Sequence, residues 1–160
     1  MTPVMLRGAV LLVSLLVTSV LGAGIAAAST SGASPAASAL SAAAAGVPCS
    51  VAARACVKLS TNQAWLLSNG KVVRGPVRVS HGRSGFRTPQ GTFRVSFKSR
   101  EHISSIYDVA MPYAVFFNGG IAFHQGDVRS RSHGCIRLGS SAARAFFATL
   151  DRGDVVQVVR

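Results

Sequence analysis

The chain has 160 residues, with 17 Lys and Arg against 5 Asp and Glu, a formal net charge of +12. That length suits one domain of ordinary size plus a leader. An excess of cations favours polyanionic partners, but the charges are scattered singly, and no dense basic run, zinc-finger spacing or RNA-binding aromatic motif occurs, which argues against a nucleic-acid reader and for a generally basic secreted protein that meets an anionic surface such as a cell wall.

The first 28 residues read as a targeting signal. Arg7 is the only charged residue before Arg54, and Gly8 to Ile25 is apolar. Ala26-Ala27-Ala28 supplies small residues suited to signal peptidase, with cleavage expected after Ala28. An apolar run of about 18 residues is also just long enough to span a bilayer, so an uncleaved anchor is the alternative. No cysteine follows the run directly, which argues against a lipoprotein. Either way the domain is expected outside the cytoplasm, touching membrane only through an uncleaved leader. Residues 29–48 are rich in Ala, Ser and Gly and read as a flexible linker. The folded domain is expected over 49–160.

Cys49 and Cys56 stand seven apart. In an oxidising compartment they are expected to form a disulfide at the domain's entrance, leaving Cys135 unpaired. A bridge from Cys135 to either of the others is the competing arrangement.

Val57–Ser60 and Gln63–Leu67 read as strands, and Ser68-Asn69-Gly70-Lys71 as a two-residue hairpin turn, because Asn-Gly tolerates positive φ at both turn positions. Val72–Ser80 returns as a strand interrupted at Gly75-Pro76. Trp65 is expected in the core. His81 lies in a glycine-bearing loop, as a surface group or a substrate contact. Thr88-Pro89-Gln90-Gly91 is a turn, and Thr92–Lys98 alternates so that Phe93, Val95 and Phe97 would share one buried face. Ser99–Ala110 is polar and irregular, a loop or a lid. Met111–Phe117 and Ile121–Phe123 are strands joined by Asn118-Gly119-Gly120, which puts His124 at an exposed strand end. Ser140-Ser141 opens a helix through Leu150, with Ala143, Phe146, Phe147 and Leu150 on its inner face. Val155–Val159 is the last strand. The fold class is mainly β, a β-sandwich or meander with one main helix near the C-terminus.

The chemistry gathers in Ser132-His133-Gly134-Cys135-Ile136-Arg137-Leu138. A cysteine with two histidines nearby is a nucleophile-and-base constellation, since the thiolate is the reactive form and an imidazole can take the thiol proton. Gly134 would set its N–H beside that of Cys135, a pair of donors suited to an oxyanion. A metal ligand and a small buried hydrophobe are the other roles open to this cysteine. A metal set would draw on His124, His133 and Cys135, with Asp127 the only evident acid to complete it. His133, two residues from Cys135, shares its face but is held side by side with it. His124 can approach the sulfur from a separate strand.

The Ser-His-Gly-Cys-Ile-Arg-Leu stretch, with the strand-end His124 and Thr88-Pro89-Gln90-Gly91-Thr92-Phe93, resembles the signature of the L,D-transpeptidase (YkuD-like) catalytic domain, over roughly Val57 to Val159. The resemblance implies a cysteine-dependent acyltransferase that acts on peptidoglycan stem peptides and needs no cofactor or metal. It makes Cys135 the nucleophile and His124 the base, with the backbone carbonyl of Gln125 orienting the ring. Ser132, His133 and Gly134 would shape the pocket. Arg137 could bind a substrate carboxylate, or be a salt-bridged or exposed strand residue, and Tyr113 is a loosely implied pocket residue. The acceptor is left open. An amine gives 3→3 cross-links, water gives an L,D-carboxypeptidase and a protein amine gives an anchoring enzyme; a non-catalytic wall-binding module is the rival of another class.

Overall fold

The computed structural model describes Ala44 and residues 46–160. The leader expected over 1–28 and most of the linker lie outside the described residues. In chain order the elements are β1 (Ala55–Lys58), β2 (Gln63–Ser68), β3 (Lys71–Ser80), β4 (Gly91–Arg94), β5 (Phe97–Ile103), β6 (Ala110–Asn118), β7 (Ile121–Gln125), β8 (Ile136–Leu138), helix α1 (Ser140–Thr149) and β9 (Val155–Val159). The architecture is mainly β, as the sequence implied.

The β2–β3 hairpin turns on Asn69 (φ 49°) and Gly70 (φ 73°), two consecutive left-handed residues of the kind Asn-Gly supplies. The expected interruption of β3 is present: the β2–β3 register shifts around Leu66, near Gly75-Pro76. A Cβ on Gly75 would lie 2.7 Å from the Trp65 ring, so only glycine fits there. Trp65 is buried in a small cluster with Cys49, Cys56 and Leu67, beside the Cys49–Cys56 disulfide.

The strands form one sheet in the order β4-β9-β1-β2-β3-β8-β7-β6-β5. β4 and β5 are its two edges, yet only Val95 and Ser96 separate them in the chain. The sheet must therefore curl until its edges meet. Val95 makes the crossing: its N–H donates to the Asp154 carbonyl, its own carbonyl accepts from Gly153, and Ser96 N–H donates to the Phe116 carbonyl. The single alternating strand expected over Thr92–Lys98 is thus two strands. Val95 is buried, but Phe97 is 42% exposed and stacks on Phe116, away from Phe93. Ser99–Ile103, expected to be irregular, continues β5.

Inside the curl one core gathers Val57, Leu66, Val79, Val115, Phe123, Ile136, Leu138 and Val156, and α1 closes it with Ala143 and Phe146; Leu150 follows at its C-cap. Phe147 is partly buried against the same core. Gly139 is the helix N-cap, without a side-chain hydrogen bond, and Ser140 and Ser141 lie in the first turn.

β8 is only three residues long and is held on both sides. Its Leu138 and Arg137 pair antiparallel with Val79 and Ser80 of β3, and all three residues pair parallel with β7. The loop before β8 is fastened to the loop after β3. Ser132 N–H donates to His81 O, and Arg83 N–H donates to Ser132 O. Buried Thr88 makes the central tie: its hydroxyl accepts from Gly82 N–H (3.0 Å) and donates to Gly134 O (2.6 Å). A Cβ on Gly82 would fall 1.9 Å from the Phe86 carbonyl oxygen, so this loop has no room for a side chain there.

Removing the Thr88 hydroxyl strands two buried backbone groups. Thr88→Val is expected to cost about 1–3 kcal/mol of stability, while Thr88→Ser retains most of it. Urea unfolding checks this, and equal midpoints for Thr88→Val and the unsubstituted chain would show that the tie carries no stability.

Candidate active site

Parallel pairing of β7 with β8 sets Phe123 against Ile136 and His124 against Arg137. Phe123 and Ile136 are fully buried in the main core, so His124 and Arg137 project from the opposite face. Cys135, two residues before Arg137, falls on that same face and packs against the cluster of Met111, Ala114, Phe116 and Ala122. Cys135, His124 and Arg137 open into one cleft of about 360 Å³.

His124, expected at an exposed strand end, is instead buried at 6% exposure within β7, because the strand runs on to Gln125 and pairs with β8. Its Nδ1 lies 2.8 Å from the Gln125 carbonyl. A carbonyl only accepts, so Nδ1 carries the proton and Nε2 keeps its lone pair. Burial pushes this imidazole below its ordinary pKa of 6.5; the Gln125 hydrogen bond opposes the shift, and the charges of Arg137 and His102 reinforce it. The ring is therefore neutral at neutral pH and able to accept a proton.

Cys135 is the free cysteine, and the Cys49–Cys56 bridge leaves it unpaired. Burial raises its thiol above the ordinary 9.0, against the lowering influence of the Ala122 backbone and of Arg137. The S–H is directed at the Gly120 carbonyl, 3.6 Å away, and neither imidazole is its hydrogen-bond partner. The resting pair is a neutral thiol and a neutral imidazole, with the thiol turned to the Gly120 carbonyl and not to His124.

The motif residues divide by task. Ser132, 2% exposed, donates its hydroxyl to Cys135 O (2.6 Å) and accepts from Gly134 N–H (3.0 Å). This corrects the expected oxyanion pair: the Gly134 amide is already engaged, and Gly134 instead serves the turn, with φ at 123°. His133 is exposed, stacked on Tyr107 at 4.2 Å and edge-on to Phe86 at 5.0 Å, so it is part of the wall of the cleft. Arg137 forms no ion pair among the described residues; its Nη1 donates to the carbonyls of Ser130 and Arg131, and its stem lies along Gly126.

Tyr113 is not in the cleft, which overturns its expected role. Its ring packs edge-on to Phe147, and the guanidinium groups of Arg100 and Arg144 lie 5.6 and 5.7 Å from its centre. Its contribution is to the backbone. Met111 and Ala114 are three apart yet share a face, which a regular strand forbids. Tyr113 takes φ 58° between them and switches the parity. That switch brings Met111, and with it His102 opposite in β5, to the cleft side.

His102 was not anticipated. It sits edge-on to Phe116 at 4.8 Å in the cleft wall. Tyr107 and Phe97 also line the cleft, and Thr88 holds the loop beneath it; the polar stretch of unassigned structure gave no signal for Tyr107, and Phe97 was expected on the buried face of Phe93. The remaining loop of the expected lid, residues 104–109, rims the cleft with exposed Ile106, Tyr107 and Val109. No Asp or Glu lines it. His81 is elsewhere, with Nε2 3.1 Å from Leu59 O. Asp127 accepts from Arg129 and Ser130 within its own turn, so it does not complete a metal set, and no group of three or more His, Cys, Asp or Glu converges among the described residues.

Residues 52–158 match the family model of the L,D-transpeptidase catalytic domain. Among solved structures, an L,D-transpeptidase from Stackebrandtia nassauensis is 32% identical, with a TM-score of 0.63 over 66% of this chain and 54% of that one. One from Mycobacterium tuberculosis H37Rv is 26% identical, with a TM-score of 0.62 over 68% and 58%. An L,D-transpeptidase in complex with imipenem is 27% identical, with a TM-score of 0.61 over 66% and 57%. The chain thus spans a little more than half the length of these structures. No curated protein matches it. The matched segment includes β1 to β8, α1 and nearly all of β9, with Cys135 and His124 inside it, and the chain belongs to the L,D-transpeptidase catalytic domain family.

Proposed function

We propose that this protein is a cysteine-dependent L,D-transpeptidase that forms 3→3 cross-links between peptidoglycan stem peptides outside the cytoplasm. The reading is carried by the β7–β8 register, which turns Cys135, His124 and Arg137 into one cleft. The Cys49–Cys56 bridge beside an unpaired Cys135 supports an oxidising compartment.

In the proposed first step the Cys135 sulfur attacks the carbonyl of the third, diamino-acid residue of a donor stem while its proton passes to Nε2 of His124. The bond to the terminal D-Ala breaks, the departing amine takes the proton from the imidazolium, and a thioester remains. The side-chain amine of a second stem then attacks the thioester and gives a proton to His124. The sulfur leaves and is reprotonated. Arg137, which has no acidic partner among the described residues, would bind the carboxylate of the departing D-Ala, a charge-assisted contact.

Incubation with imipenem followed by intact mass measurement is expected to show one covalent adduct, absent from Cys135→Ala. Incubation with tetrapeptide muropeptides is expected to release D-Ala and give a dimer joined through two third residues. Tripeptide monomers alone would show that water is the acceptor.

The protonation states give a second test. A neutral resting pair predicts that alkylation of Cys135 by iodoacetamide climbs with pH through 9 without levelling off. Depressed basicity of His124 places the acid limb of kcat/KM below pH 6.5, because the base is lost only when the imidazole protonates. An alkylation plateau reached by pH 7 would reveal a standing thiolate–imidazolium pair.

Arg137→Gln is expected to lower kcat/KM for the donor about 10–100-fold, the worth of one hydrogen bond to a charged group. A donor whose terminal carboxylate is amidated should be affected far less by the same substitution. Equal losses on both donors would assign Arg137 to another task.

A further inference from the structure

We propose that a second cleft, which contains neither Cys135 nor His124, is a binding site for a multivalent phosphate anion. It encloses about 660 Å³ and is lined by Arg83, Arg87, Arg131 and Arg160, with His81 and Asn62 among its other residues. No Asp or Glu lines it. None of these arginines is in an ion pair among the described residues. Several guanidinium groups around one concavity repel one another and raise the local concentration of anions.

Two of the cations have fixed seats. Arg83 lies over the Phe86 ring at 4.3 Å. Arg131 Nη1 lies against the His81 ring, 3.0 Å from Nδ1 and 2.5 Å from Nε2, and Nε2 also reaches the Leu59 carbonyl at 3.1 Å. His81 thereby stands between the β1 end and the Arg131 guanidinium; its burial and the Arg131 charge both favour the neutral ring. The backbone beneath is locked too, since His81 O and Arg83 N are bonded to Ser132 and Gly82 N to Thr88. Arg83 and Arg131 are thus held before any ligand arrives, which lowers the entropy cost of binding.

Phosphate chemistry fits this arrangement better than a single carboxylate. One carboxylate offers one bidentate edge and one charge, which leaves the other guanidinium groups uncompensated. A phosphate or a run of phosphodiesters spreads charge over several oxygens and can engage Arg83, Arg87 and Arg131 together. The proposal does not depend on the transpeptidase reading, because no residue lines both clefts.

Isothermal titration of the purified protein at low salt, with inorganic pyrophosphate and separately with a glycerol phosphate oligomer, tests it. At least one is expected to bind at one site per chain, with affinity falling tenfold or more in the triple variant Arg83→Gln, Arg87→Gln, Arg131→Gln. An unchanged unfolding midpoint for that variant shows that the loss is local, and Arg83→Lys, Arg87→Lys, Arg131→Lys should recover part of the binding if its own midpoint is also unchanged. Binding of the oligomer identifies a polymer, and binding of pyrophosphate alone identifies a terminal phosphate. No binding of either probe, equal affinity in the triple glutamine variant, or equal affinity for succinate would overturn the proposal.

Discussion

The register between β7 and β8 is the constraint on which the rest depends. Only three residue pairs define it: Phe123 with Ile136, His124 with Arg137, Gln125 with Leu138. A slip of one residue would turn Ile136 and Leu138 towards the cleft and drive Cys135 and Arg137 into the core. The slip is blocked from the apolar side, because Phe123, Ile136 and Leu138 are all fully buried. The core thus specifies the geometry of a site that it does not touch. β3 adds the second fastening, and the ties of His81, Arg83 and Thr88 to the nucleophile loop extend it to residues that have no strand of their own.

Electrostatics in the cleft pull in two directions. Burial favours the uncharged form of both Cys135 and His124. The Arg137 charge opposes imidazolium and favours thiolate. Transfer of the proton from sulfur to nitrogen therefore gains from Arg137 at one end and loses at the other. If a substrate carboxylate neutralises Arg137, the imidazolium becomes easier to form and the thiolate harder. In the proposed reaction, attack removes the second problem, because negative charge moves from sulfur to the carbonyl oxygen as the bond forms. The Gln125 carbonyl has a part here beyond orientation, since it accepts from Nδ1 and stabilises the protonated ring.

Much of this was legible in the chain. Asn69-Gly70 announced its hairpin because positive φ at two successive positions is a property of those residues, and the Ser132–Leu138 motif marked a candidate site by its mixture of Ser, His, Gly, Cys and Arg. What escaped were features decided by neighbours. β8 is a strand because β3 and β7 flank it, and three residues carry no period. Alternation over Thr92–Lys98 was real but was divided between two sheet edges at Val95. One left-handed residue, Tyr113, reversed the facing of β6; the resemblance alone had implied Tyr113 for the pocket, and the stretch read as irregular gave His102 no facing at all. The Gly134 amide looked free until Ser132 Oγ was found beneath it; a serine two residues before is an ordinary turn partner, and that signal was present.

The raised thiol pKa looks unhelpful for a nucleophile, yet it suits an unpaired cysteine in the proposed oxidising compartment. The thiolate is the form that exchanges with disulfides and enters the oxidation ladder. A standing thiolate beside the accessible cleft would be open to both, with no reducing pool to restore it. Held as a thiol towards Gly120, Cys135 exposes little of that form. His124 remains neutral and available, so the reactive state can be generated when a carbonyl is present to receive the electrons. The site thereby gives up resting reactivity for persistence. In the proposed reaction the exchange works because His124 comes from a different strand and keeps its own proton acceptor, the Gln125 carbonyl, independent of the sulfur's resting contact.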